Sequence, residues 1–182
     1  MELSIFGLTV SLLESEGAIP AGVHSLDRAP HDGVSSTRVT GSAVALLAWC
    51  RATERVVIEK ELREARVFAG FERFSRAAFV ARRFAKIASL GCSLDVVGEA
   101  DAPLAFHTTR TVPIERGPLM REWFLLVDSN RYRGLLAARD LDGFGSGRSP
   151  RERRFEGVIT HRGPVVRGVA DALEEWIGFQ LG

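Results

Sequence analysis

Cysteine, lysine and long apolar runs are all scarce in this sequence, and each scarcity excludes something. There are two cysteines, Cys50 and Cys92. They lie far apart in apolar surroundings, with no CxxC and no Cys/His spacing of the kind that holds a metal. They read as buried small hydrophobes in a reducing compartment, not as a redox or metal pair. The only lysines are Lys60 and Lys86, so arginine carries nearly all the positive charge. That reads as the codon bias of a GC-rich genome, although guanidiniums also suit forked binding of carboxylates or phosphates. An excess of either charge is missing too: 24 basic residues face 23 acidic ones, for a net charge of +1. Nothing in that balance demands nucleic acid or an anionic membrane as partner. No apolar run approaches the roughly 18 residues that span a bilayer. The N-terminus lacks the basic region and small-residue cleavage site of a signal peptide. The expectation is a soluble, cytoplasmic protein.

What is present suits one globular domain. The chain has 182 residues, 46% of them apolar, and its aromatics are mostly Phe. That length buries a large core without disulfide or metal staples. "LSIFGLTVSLLES" (3–15) spaces its apolar residues by three and four, as a short amphipathic helix does. Residues 16–36 are Gly-, Pro-, Ser- and His-rich and read as a long connection. Residues 37–62 read as a long helix, capped by Thr37 and broken at most once. Strands are expected at 65–71 and 93–98, a third extended segment within 101–114, and further strands at 122–128 and 155–161. Helices are expected at 75–91, with Ser75 as N-cap and Gly91 as stop, at 130–141, and at 164–179 with Pro164 in the first turn. Residues 143–154 read as a loop. The class implied is α/β: a single domain with a mixed, mostly parallel sheet of about five strands, flanked by helices and preceded by an N-terminal helical segment.

Motifs of chemistry are thin. "GFGSGR" (143–148) is glycine-rich, but a helix is expected before it and a strand after it. That is the reverse of a phosphate-cradling loop, so a plain connection is the better reading. "RSPRERR" (148–154) is a basic cluster whose default is a solvated loop and whose alternative is a phosphate- or protein-contacting patch. The histidines, His24, His31, His107 and His161, form no HExxH or HxH. His161 does end a strand, where sites of α/β proteins often sit. No GxSxG occurs. Glu122 and Glu156 each open an apolar strand after an arginine. If those strands are neighbours, pairs such as Arg154 with Glu122 brace one end of the sheet. Asp128 closes its strand and reads as N-cap of the helix expected at 130–141. No catalytic constellation emerges.

Three stretches, in order, resemble the DICT sensory domain, a bacterial and archaeal module associated with diguanylate cyclases and two-component systems. They are "VFAGFERFS" (67–75), "REWFLLVDSNRYRGLLAARDL" (121–141) and "RRFEGVITHRGPVV" (153–166). The likeness covers roughly residues 3–178. Its signature positions here are Gly70, Arg121, Glu122, Arg154, Phe155, Glu156 and Gly157, with structural roles. The resemblance implies signal input, with a proposed link to light-responsive and cyclic di-GMP signalling, and no enzymatic activity. It names no cofactor, ligand or oligomeric state. With no room for an output domain, a stand-alone sensor is expected to act on a signalling protein: a kinase, a second-messenger enzyme or a transcription regulator. Direct nucleic-acid or membrane contact is not expected. The pocket expected for a small ligand joins Phe71, Arg73, Trp123, Asp128 and His161, where strand ends would converge. The alternatives are an interaction adaptor without a ligand, using Trp176, Ile177 and Phe179, and an enzyme built on Glu122, Asp128 and Glu156.

Overall fold

Among the described residues, caps and strand-forming runs set out eight strands and four α-helices. The computed structural model describes residues 2–28, 36–143 and 148–182. Helix α1 (Ile5–Ser15) begins at Ser4, whose hydroxyl accepts the Gly7 amide at 2.9 Å. A short strand β1 (Val23–Ser25) and strand β2 (Thr37–Ser42) precede helix α2 (Ala43–Glu59). Then come β3 (Arg66–Arg73), a 3-10 turn at Phe74–Phe79 and helix α3 (Ala81–Ser89). Helix α3 stops before Gly91, whose φ of +85° suits a residue without Cβ. Strands β4 (Ser93–Glu99), β5 (Arg110–Pro113), β6 (Glu122–Asp128), β7 (Arg133–Asp140) and β8 (Arg154–Thr160) follow. Helix α4 (Gly163–Leu181) closes the chain with Pro164 in its first turn.

The strands form one sheet in the order β1-β2-β8-β7-β6-β3-β4-β5. Its centre, from β2 across to β3, is antiparallel, and the outer pairs β1–β2, β3–β4 and β4–β5 are parallel. Helices α2 and α3 cover one face, over Val67, Ala69, Leu125, Val127, Leu136 and Ile159. Helices α1 and α4 cover the other, over Phe68, Phe124, Leu126, Leu135 and Ala137. Central strands buried on both faces explain the unbroken apolar runs of β3, β6 and β7. Both cysteines are free and buried. Among the described residues no helix is long and apolar enough to cross a membrane.

The α/β class, the mixed sheet, the flanking helices and the N-terminal helix stand as expected. The sheet, however, has eight strands instead of about five, and its centre is antiparallel. The largest correction is at 130–141, a strand in place of a helix. "RGLLAARDL" is rich in good helix formers, but Leu135, Leu136, Ala137 and Ala138 are completely buried between β6 and β8. Tertiary pairing here overrides propensity. The small residues are needed: a Cβ on Gly157 of β8 would lie 2.8 Å from the Ala137 carbonyl. Thr37 opens β2 and is no N-cap; the cap of α2 is Ser42, whose side chain accepts the Ala45 amide. Ser75 lies in the 3-10 turn, bonded through its amide and hydroxyl to Asp101, and α3 starts only at Ala81. Within 101–114 only Arg110–Pro113 is strand.

The long connection at 16–36 carries β1, and its residues 29–35, His31 included, lie outside the described residues. So do residues 144–147 of the glycine-rich loop. Trp176 and Ile177, expected as an exposed interaction face, are core residues on the buried side of α4, whereas Phe179 is 80% exposed.

Candidate ligand-binding site

Strand β6 joins two ends of the sheet with different chemistry. At its first residues, β2, β3 and β7 finish, β8 begins and α2 sets out. Here Trp123 faces α2 and meets Phe155 edge-on, with centroids 5.9 Å apart. Gly70 of β3 makes room nearby: a Cβ there would come within 2.2 Å of the Phe124 ring. The β3–β4 register then shifts between Gly70 and Arg73. Strand alternation would send Phe71 and Glu72 to opposite faces, yet both line one cavity, and the irregularity accounts for it. The cavity measures about 330 Å³. Leu47 of α2, Phe71, Val80 and Trp123 make its apolar walls. Arg51, Arg76, Arg148 and Arg153 supply cationic groups from α2, the 3-10 turn and the loop before β8.

Arg153 is buried against the cavity. It donates from Nη1 to Glu72 at 2.9 Å, and from Nη2 to both Glu72 and Asp140. Its guanidinium also lies 5.2 Å from the centroid of the Phe155 ring. Burial works against its charge, but the hydrogen bonds it donates to the two carboxylates outweigh that and raise its pKa. Beneath the cavity, Glu54 of α2 is 1% exposed and accepts from Arg83. Burial pushes the pKa of Glu54 up, and that of the neighbouring Cys50 thiol with it.

At the other end, Asp128 closes β6. It accepts from Arg66 at 2.6 Å and from Arg133 at 2.8 Å, and Arg66 also reaches Asp171 at 2.8 Å. Burial alone would raise the Asp128 pKa; the bonds from Arg66 and Arg133 overcome it and hold the carboxyl below its usual range. Asp128 is therefore an ion-pair centre and not a helix cap, because a turn leads directly into β7. Ser129 shapes that turn, its hydroxyl donating to the Tyr132 carbonyl at 2.9 Å. The groove beside Asp128 is wide, about 1100 Å³, and lined mainly by charged groups.

The five residues expected to share a pocket do not converge. Phe71 and Trp123 line the cavity. Arg73 pairs with Glu99 at 2.9 Å across β3–β4. Asp128 sits at the far end of the sheet. His161 lies beyond β8, with Nδ1 2.8 Å from the Arg133 carbonyl and its ring against Tyr132 and Trp49. Glu122 accepts from Ser4 Oγ at 2.5 Å and from the amides of Ile5 at 2.7 Å and Phe6 at 3.3 Å, so it anchors the start of α1. Burial raises its pKa, with those bonds opposing. Arg154 does not pair with Glu122, since β7 lies between their strands; it reaches Asp27 at 2.8 Å. Glu156 pairs instead with Arg139 of β7. Arg121 donates to the Asp140 carbonyl at 3.3 Å.

Sequence reading missed Arg51, Arg76 and Glu72, and it placed Arg148 and Arg153 in a solvated loop. The one local signal was the arginine pair before "FEGV", one of which had to lie on the buried side of the chain as it entered β8.

Comparison with known proteins gives one firm result and one faint one. The family model described as the sensory domain in diguanylate cyclases and two-component systems, DICT, matches residues 23–141, from β1 past the end of β7. The third resembling stretch, 153–166, lies beyond that match. No curated protein matches the chain. Among solved structures, a phospholipase D family member, Nuc from Salmonella typhimurium, is similar at 9% identity and a TM-score of 0.45, over 80% of this chain and 96% of that one. Polyphosphate kinase from Porphyromonas gingivalis is similar at 12% identity and a TM-score of 0.46, over 83% of this chain and 27% of the kinase. Likenesses this distant carry no argument about activity. The family match spans more than half of the sequence, and on it the chain belongs to the DICT family, the sensory domain in diguanylate cyclases and two-component systems.

Proposed function

We propose that residues 1–182 act as one cytoplasmic sensory unit that binds a small ligand in the cavity beside Trp123 and passes its state to a signalling protein by direct contact. A kinase, a second-messenger enzyme or a transcription regulator is the kind of partner meant, and the unit itself performs no catalysis. The observation that carries the reading is the cavity: apolar walls, a few polar groups and four separate elements meeting at it. Walls drawn from several elements suit a sensor, because ligand can shift an equilibrium only by binding two arrangements with different affinity. The loop at 148–153 joins the cavity to β8 through Arg153, so a change at the mouth reaches the sheet through one buried residue.

The three carboxylates considered for chemistry are otherwise occupied. Glu122 anchors α1, Asp128 holds two arginines and Glu156 pairs with Arg139. The test is a thermal-shift screen of nucleotides, cyclic dinucleotides and flavins on the wild type and on Val44→Trp, which fills the mouth of the cavity. A ligand at 100 times its Kd is expected to add about 2.7 kcal/mol to the wild type and nothing to the variant. Equal stabilisation of both proteins overturns the site.

A further inference from the structure

We infer that the ligand of this cavity is a flat, largely apolar molecule the size of one fused ring system, carrying at least one acidic group. The inference rests on the cavity being the binding site, and it goes further by naming the chemistry of what binds. Among the described residues, four that line the cavity are arginines, and the one lining carboxylate is Glu72. Glu72 is already committed to Arg153, which it shares with Asp140. Arg51 of α2 and Arg148 of the loop before β8 are both exposed at the rim. Arg148 has Asp142 only at 3.6 Å. An anion at the mouth thus meets guanidinium forks, which bind carboxylate, sulfonate or phosphate oxygens in pairs.

The walls specify the rest of the molecule. Phe71 and Trp123 present ring surface inside, and Phe79 stands at the mouth with 69% of its surface exposed. Val44 beside it is 47% exposed. Large apolar groups left in water around an apolar cavity mark a surface that a ligand covers. Rings stack on such surfaces, and guanidinium planes stack on rings in turn. The volume of about 330 Å³ lies near the bottom of the range for small-molecule sites. It suits one ring system better than the paired bases of a cyclic dinucleotide.

A matched pair of fluorescent probes tests this on the full chain. Anilinonaphthalene sulfonate carries the acid, and phenylnaphthylamine has the same rings without it. Arg51→Gln combined with Arg148→Gln is expected to weaken the sulfonate about tenfold and to leave the neutral probe within about twofold. Both arginines are exposed, so the variant folds, and circular dichroism checks it. Arg63→Gln with Arg116→Gln, which removes the same charge elsewhere, is expected to change neither probe. Val44→Trp is expected to abolish both. If Val44→Trp displaces both probes but the Arg51/Arg148 variant weakens neither, or weakens both alike, the acidic class is overturned while the cavity stands. If Val44→Trp displaces neither, the cavity itself is overturned as the site.

Discussion

The two ends of β6 use the same residue types for opposite purposes. At the Asp128 end, a buried carboxylate is held by two partly exposed arginines beside a wide polar groove. At the Trp123 end, one arginine is buried between two carboxylates, and the others ring an apolar cavity. Pairs with a partly exposed cation contribute less, because water competes for the arginine. A buried cation between two buried anions contributes through what its loss leaves behind: charges with no solvent and no partner. The lesson is that burial of the cation, more than charge count, separates a bracing end from a binding end.

The largest expected effect sharpens that contrast. Arg153→Ala leaves Glu72 and Asp140 buried without their cation, and a broken buried pair costs about 3–5 kcal/mol. Urea denaturation measures it; a loss no greater than that of Arg66→Ala would erase the distinction between the ends. Next comes Gly70→Ala. Its Cβ would enter the Phe124 ring, and overpacking of this kind costs about 1–3 kcal/mol. An unchanged denaturation midpoint would mean that Phe124 has room to move and that β3 needs no glycine beside the cavity.

A smaller effect sets Glu122 against Asp128, the two carboxylates that open and close β6. Asp128 has a folded pKa below its ordinary 3.8, so its contribution is present above that value and is lost as pH falls through the folded one. Asp128→Asn is expected to cost about 1 kcal/mol at neutral pH, and the gap to wild type should close in strong acid. Glu122 has a folded pKa above its ordinary 4.5. Its ionisation is a cost in the folded protein, relieved as pH falls from the raised value towards 4.5. Against Glu122→Gln, the wild type therefore gains stability over that interval. Denaturation midpoints from neutral to acid pH read both, and trends of the same sign would refute the assignment. The smallest effect is that of Arg148→Gln, within about 0.5 kcal/mol, as befits an exposed residue with a long contact. A larger loss would make Arg148 part of the frame and not of the rim.

Legibility followed the range of the interactions. "EWFLLVD" and "ARVFAGF" were readable as buried strands, because an unbroken apolar run between charged ends needs no partner to be recognised. The closing helix, with Pro164 at its start, was equally plain. "RGLLAARDL" was not, since its leucines and alanines suit a helix in isolation. Thr37 likewise looked like a cap until β8 offered it a partner. The site was half legible. Phe71 and Trp123 stood out as aromatics at strand ends, and Arg73, Asp128 and His161 were grouped with them as ends of neighbouring strands. The antiparallel pairing of β3 with β6 puts Asp128 and His161 at the opposite end, and Arg73, at the near end, is taken by Glu99.

By itself, then, the sequence determined the α/β class, most of the strands, the outer helices and the likeness to a sensory family, because period, caps and short signatures are local properties. Only the tertiary structure decided the strand order, the bracing roles of Glu122 and Asp128, and the cavity. Arg153 finds Glu72 across a separation of 81 residues. No local pattern encodes that meeting; the sheet order and the register irregularity in β3 produce it.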